Sequence, residues 1–554
     1  MFKLLLVDSW FLNSCEGGLD ELIDYFDIIE ENELLERVIH FILSNLDLDA
    51  LDKILNIVLC DAYDQNEIRV SGRDQIFIFC QILKHLQTRT ELLVRYSSRI
   101  PEISKICELI DVIFLQDNED LALCQLFSVL RYYELNDEAG RKLVIELTLK
   151  LLSKPTSLSL KLIYEVVKTY VHFATSHRRT LDTIVELISE IRQPLNTSGT
   201  FTQATQRGDD NSQAGPENLQ VLITCLSIVT EVLKARSLDL STPSSTSLLQ
   251  SFILPLIQDN RSDVRAEAVK CLSLFCIYVK NYAVQYLMLL ANVVQFDSIE
   301  ISSIAISAIF DILTLYGFSI CENEENEQTV IDMLLELADK ASTPDLQVIL
   351  IAGMAKLFLF KRVTSAKILA LLIWSLIDPT CESNPKKSLV LSQFFHIFLS
   401  EKFLDSFDLF TEACVLFLTR FTDEYDGTAA SVNNLANMFS NFTKVDLSKL
   451  NGENLQPTTR EKLVLALLER LVISESDEEI KIIIKVLASF NILVATQEGT
   501  SKSINLIEQA VSKLETQDKR TIKLAEKIKS CLLNQSLLSL TESRIENTTV
   551  AESI

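Results

Sequence analysis

The side chains that could do catalytic chemistry are scattered along this chain, whereas those that could bind charged partners come in pairs. The five histidines, His40, His85, His172, His177 and His396, lack metal-ligand spacing, and His172 and His177, five apart, do not share a helical face. There is no H-E-x-x-H, no glycine-rich phosphate loop and no C-x-x-C. No catalytic residue, metal site, cofactor or small-molecule substrate is therefore expected. Two cationic pairs, Lys361-Arg362 and Lys386-Lys387, have the chemistry to hold phosphates or an acidic peptide, and no carboxylate neighbours the first in sequence. Thr242-Pro243 lies in a Ser/Thr-rich break and offers a hydroxyl to a proline-directed kinase, where phosphate would add about two negative charges. Trp10 and Trp374, the only two tryptophans, sit within apolar helical patterns and read as core.

These groups must be positioned by helices. From Ser251 the chain reads as an apolar helix, a polar turn holding Asp259, then a helix opening Asp263-Val264-Arg265. Val264, Ala268, Leu272 and Phe275 recur at spacings of three and four, which aligns them on one helical face. The pattern returns as Ile301, Ile304, Ala305, Ala308, Ile309 and Ile312, and again as Leu346, Ile349, Leu350, Gly353, Leu357 and Phe360. Small residues at Ala268, Ala305 and Gly353 let neighbouring helices approach closely. Repeated helix pairs of this kind are HEAT repeats, and they imply an all-α superhelix, a HEAT/armadillo-like solenoid whose function is recognition of macromolecules. Arg265, six residues after Asp259, is placed to reach Asp groups in neighbouring inter-helix turns; Ser302 takes the corresponding place in the next repeat and leaves the ladder incomplete.

Composition agrees. In 554 residues there are only 12 Gly and 10 Pro, while 48% are apolar, which suits a long helical array with an ample core. The 12 cysteines are scattered, and Cys124, Cys225, Cys271 and Cys276 fall inside apolar helical patterns, where a free thiol behaves as a small hydrophobe. The longest apolar run, Ile368 to Ile377, is about half of a membrane span, so no membrane partner is expected. Net charge is −25, so phosphate binding cannot be a bulk property. The charge is uneven. Nine acids and no base lie between Phe11 and Glu36, whereas Leu346 to Ile377 holds only Lys356, Lys361, Arg362 and Lys367.

Breaks in periodicity divide the chain into helical repeats over 1–193, a loop over 194–218, a denser repeat domain over 219–422, a mostly irregular stretch over 423–458, helices over 459–533 and a tail over 534–554. Shorter interruptions are expected at 241–245 and at the acidic Cys321 to Gln328.

The run VRAEAVKCLSLFCIYVKNYAVQYLMLLANVV, followed by IEISSIAISAIFDILTLYG, resembles the C-terminal domain of condensin subunit 3 proteins. The segment from Leu346 to Phe398, with Asp378-Pro379, Asn384-Pro385 and Phe394-Phe395, is similar to that family's following block. LLLVDSWFLNSC, the helix pair around Asp74 to Leu93 and LCQLFSVLRYYELNDEAGRKL resemble its middle. The likeness covers roughly residues 1 to 425, most strongly 219 to 420. Met1 falls where family members are already well into the solenoid, so their N-terminal repeats are expected to be missing here.

The resemblance implies a non-catalytic subunit that grips the kleisin subunit of condensin and, through it, joins the SMC ATPases. It further implies that the subunit engages double-stranded DNA in mitotic chromosome condensation, in the nucleus, on mitotic chromosomes and in the interphase cytoplasm. Lys361, Arg362, Lys386 and Lys387 are the candidate DNA or kleisin contacts. The other reading is a generic HEAT/armadillo scaffold of importin-like or adaptin-like transport type, whose acidic surface binds basic cargo.

Overall fold

The computed structural model describes most of residues 28–533; the longest stretches outside the description are 1–27, 198–215, 425–434, 440–458 and 534–554. Trp10 and Asp378-Pro379 lie outside the described residues. The described chain is almost wholly helical, with one two-residue antiparallel pair, β1 (Tyr63–Asp64) and β2 (Glu67–Ile68).

In chain order the helices are α1 (Asn32–Asn45), α2 (Arg73–Thr88), α3 (Thr90–Tyr96), α4 (Ile103–Leu115), α5 (Asp120–Leu130), α6 (Glu138–Leu152), α7 (Leu160–Phe173), α8 (His177–Thr197) and α9 (Pro216–Leu233). A short helix, α10 (Pro243–Leu248), runs through a π-helical turn at Leu249–Ile253 towards α11 (Ser262–Tyr278). There follow α12 (Lys280–Phe296), α13 (Ile299–Tyr316), α14 (Glu324–Lys340), α15 (Pro344–Leu359), α16 (Ala366–Ile377), α17 (Pro385–Phe398), α18 (Phe407–Glu424), α19 (Thr459–Ile473), α20 (Asp477–Ser489) and α21 (Gln497–Lys513).

Two compact units divide the chain, the division running through α12 and α13. In the first, α2, α5, α7, α9 and α11 pack side by side as one layer, backed by α4, α6, α8 and α10. In the second, α15 and α17 pack in one layer and α16, α18 and α19 in the other. This alternation is the expected all-α superhelical architecture, since every helix buries one stripe against the next member of its own layer.

The stripes read from the sequence are the core. Val264, Ala268, Leu272 and Phe275 have no solvent exposure, nor do Ala305, Ile309 and Ile312. Burying a side chain of Val, Leu, Ile or Phe contributes about 1.5–3 kcal/mol. Gly353 is required by its neighbour, because a Cβ there would lie 2.1 Å from the Phe310 ring. Phe360 departs from the expected stripe. It is the C-cap of α15, one step beyond the last helical turn, and is 61% exposed.

Helix α13 is long and apolar enough to cross a membrane by length and composition, but half of it is buried within the fold. Residues 194–197 and 216–218, expected in a loop, are helical: α8 continues through Pro194, and Pro216 opens α9 at a first-turn position that needs no N–H partner. Helix α14 likewise starts at Glu324, inside the acidic stretch read as a break.

Candidate functional site

The turn before α11 shows how a repeat junction is held. Asp259 folds back on its own turn, its carboxylate accepting from Arg261 Nε and Nη2 at 2.9 and 2.8 Å. Arg265, on the first turn of α11, donates Nη1 to the Asp259 and Asn260 carbonyls at 2.9 and 3.1 Å. The same guanidinium grips Asp297, in the turn before α13, through Nε at 3.0 Å and Nη2 at 2.8 Å. Arg265 thus reaches the neighbouring turn's carboxylate, as the spacing predicts, but meets Asp259 only through its carbonyl. Hydrogen bonding from Arg261 and from Arg265 holds the Asp259 and Asp297 carboxyls, respectively, below the usual range. Ser302 Oγ donates to the Asp297 carbonyl at 3.3 Å, a local bond that reaches no further turn.

The basic block occupies α15, α16 and α17. Among described residues from Leu346 to Phe398 there is no acid, because the only two, Asp378 and Glu382, fall in the undescribed 378–382. The four candidate contacts do not present four equivalent charges. Helix α15 ends in a left-handed turn: Lys361 has φ 54°, its N–H donates to the Phe358 carbonyl at 2.9 Å, and the Arg362 N–H donates to Leu357 at 2.8 Å. These are the paired bonds of a Schellman cap, usually closed by glycine. Lys361 is exposed. Arg362 is also exposed, but its guanidinium is engaged: Nε donates to the Thr314 carbonyl and Nη2 to the Leu315 carbonyl, both at 2.9 Å. It satisfies two carbonyls in the last turn of α13, where the helix dipole favours a cation.

Lys386 is exposed and opens α17. Lys387 is 2% exposed, which corrects its expected place on a contact surface. The reason is register: Lys387, Leu391, Phe394 and Phe398 recur at four, three and four, so the lysine falls on the buried stripe, and the period of the phenylalanines was the signal that places it there. Its N–H is capped by Asn384 Oδ1 at 3.2 Å.

Thr242, the candidate phosphosite, stands at a helix start. It is the N-cap of α10 and 4% exposed, with Oγ1 accepting from the Ser245 N–H at 3.3 Å and its carbonyl accepting from Ser245 Oγ at 2.7 Å. Thr followed by Pro is a helix start, with Pro at N1, and the hydroxyl oxygen serves the cap as an acceptor. Trp374 is half-buried and packs against Phe417 and Phe421 of α18, with ring centroids 5.8 and 6.3 Å apart.

The remaining titratable groups have the character of a core. Burial pushes the Cys80, Cys225, Cys271 and Cys276 thiols up to about 12, where no reactive thiolate forms near neutrality. His85, buried beside His40 with ring centroids 5.6 Å apart, makes no hydrogen bond through either ring nitrogen. Burial first, then Arg89 and His40, pull it down to about 4. Among the described residues no three His, Cys, Asp or Glu side chains gather as a metal site.

Residues 224–492 match the family described as nuclear condensing complex subunits, C-terminal domain. That match continues past residue 425, where the resemblance was expected to end. The composition of 423–458 breaks the helical period, yet Leu435 and Phe439 are fully buried. Condensin complex subunit 3 of Xenopus laevis is 22% identical over 521 residues, 74% of this chain and 49% of that protein. Condensin complex subunit 3 of Homo sapiens is 21% identical over 652 residues, 95% of this chain and 61% of that protein. The chain thus spans about half to three-fifths of the length of these relatives. The crystal structure of the S. pombe condensin Cnd3-Cnd2 subcomplex superposes with a TM-score of 0.73 at 18% identity, covering 96% of this chain and 69% of that one. With the family domain over 224–492, relatives of one name across the chain and a solved relative of the same fold, the chain is similar to condensin complex subunit 3 proteins.

Proposed function

We propose that this chain is a non-catalytic HEAT-repeat subunit of condensin that binds the kleisin subunit and contributes to DNA engagement in mitotic chromosome condensation. Through the kleisin it joins the SMC ATPases, in the nucleus and on mitotic chromosomes, with an interphase cytoplasmic pool. The observation that carries this reading is the fold match over 96% of the chain to a condensin subunit crystallised in a subcomplex with Cnd2.

The basic block supports the DNA part. In a chain of net charge −25, the described residues from Leu346 to Phe398 include no acid, and Lys361 and Lys386 are exposed there. Counterion release from a few such contacts gives salt-dependent binding without sequence readout. Arg362 is tied to the turn and Lys387 is buried, so the informative variant reverses only two charges, K361E with K386E. Duplex DNA binding by the chain reconstituted with its kleisin should weaken and show a shallower dependence on salt. Unchanged affinity and slope would remove these lysines from the DNA surface.

A further inference from the structure

One edge of the second unit is apolar where a solvated edge would be polar. Leu315 is 50% exposed in the last turn of α13, Phe360 61% exposed at the end of α15, and Ile397 44% exposed at the end of α17. Lys356 of α15 pairs with Asp311 of α13 at 3.2 Å and Arg362 binds the Thr314 and Leu315 carbonyls, while α15 packs on α17. The three helices are successive members of one layer, so their C-terminal ends share an edge. The central turn is locked by its Schellman bonds and by Arg362, so Phe360 is held outward on rigid backbone. Beside it stand Lys361 and Arg362, in the stretch from Leu346 to Phe398 that has no described acid.

We propose that this edge docks an extended peptide of a partner protein that carries an apolar residue at every third position with carboxylates between them. Packed helices lie about 8–10 Å apart, and an extended chain in the polyproline II form rises about 3.1 Å per residue with three residues per turn, so every third side chain faces the same way. One helix spacing therefore matches about three residues of peptide, and Leu315, Phe360 and Ile397 accept three anchors in one pass. Lys361 and the outer face of the Arg362 guanidinium attract the intervening carboxylates. The occupant is a peptide and not a nucleic acid, because three exposed apolar side chains gain nothing from a phosphate backbone. This inference does not depend on which complex the chain enters.

The probe is the fluorescein-labelled peptide Leu-Asp-Glu-Phe-Asp-Glu-Leu, titrated with the full chain by fluorescence anisotropy. Saturable binding is expected, weakened about tenfold by Phe360→Ser and similarly by Leu315→Ser, as truncation of a buried anchor does. Lys361→Glu should weaken it and flatten its salt dependence, and the reordered peptide Asp-Glu-Leu-Phe-Leu-Asp-Glu should bind more weakly. Unchanged thermal unfolding of the variants checks that these exposed substitutions leave the fold intact. The proposal fails if neither peptide saturates, if Phe360→Ser binds like the parent chain, or if both peptides bind equally. It also fails if the peptide binds only after Glu322, Glu324, Glu325 and Glu327 are changed to Gln, which would make the chain's own acidic stretch the occupant. Phe360→Ser or Leu315→Ser altering duplex DNA binding but not peptide binding would likewise overturn it.

Discussion

Arg265 clasps both carboxylate oxygens of Asp297, 32 residues away, while its remaining donors hold the carbonyls of Asp259 and Asn260. One side chain thus fixes the turn it follows and the next turn along. Both partners are mostly sheltered, with side-chain exposures of 22% and 13%, and forked charge-assisted bonds of this kind have strong directional preference.

Arg265→Lys should therefore destabilise the chain by about 1–2 kcal/mol, because an ammonium cannot serve both turns with a planar fork. Arg265→Met combined with Asp297→Leu should cost less than the sum of the single changes. The pair also sets an acid response. Asp297 and Asp259 have folded-state pKa values below their unfolded ones, so their stabilisation is complete above the ordinary carboxylate range and is lost as pH falls through the depressed values. Urea midpoints measured as pH is lowered through and below that range should fall less steeply in Arg265→Met than in the parent.

Gly353 faces Phe310 with no room for a methyl group, and the nearest ring atoms would lie 2.1 to 2.4 Å from it. Gly353→Ala should cost about 1–3 kcal/mol despite its better helix propensity, because the ring must move within a filled core. Adding Phe310→Leu should recover part of that loss in urea unfolding, whereas equal additive losses would show that the two sites are not in contact.

The helical stack was legible because its signals are periodic. Val264, Ala268, Leu272 and Phe275 announce their face through spacing alone, and Arg265 is placed by its distance from the turn. The candidate surface was less legible because charge in a sequence carries no direction. Lys386 and Lys387 are adjacent, yet a step of about 100° between neighbours on a helix sends one outward and the other onto the phenylalanine stripe. Arg362 and Thr242 have bland tasks, capping α13 and α10. The Thr-Pro start of α10 could have been read locally, but the reach of Arg362 to Thr314, 48 residues back, depends on which helices stack.

Lys361 holds a left-handed backbone where the neighbouring α13 cap uses Gly317, with φ 72°. Lys361→Gly should relieve backbone strain and raise stability by about 0.5–1 kcal/mol. If the exposed lysine contacts DNA, the same variant should weaken duplex binding, so that thermal unfolding and affinity move in opposite directions.

Thr242→Ala should cost about 1 kcal/mol through loss of the α10 cap, and phosphopeptide mapping of natively folded chain from mitotic cells should find Thr242 unmodified.

His85 sets a second pH dependence. Its pKa is about 4 in the fold against about 6.5 unfolded, so the unfolded chain binds the proton first as pH drops. Stability should fall between those two values, by up to about 3 kcal/mol at about 1.4 kcal/mol per pH unit, and then level off. His85→Phe should remove that part of the profile, as followed by denaturant midpoints from pH 7.5 to 4.

Membership of a condensin complex is the central functional claim. Affinity purification of the tagged full chain from mitotic cells, read by quantitative mass spectrometry, tests it directly. Recovery of a kleisin together with SMC subunits in comparable amounts is the predicted result. Recovery of nuclear-import or coat components without them would contradict the account and favour a transport scaffold.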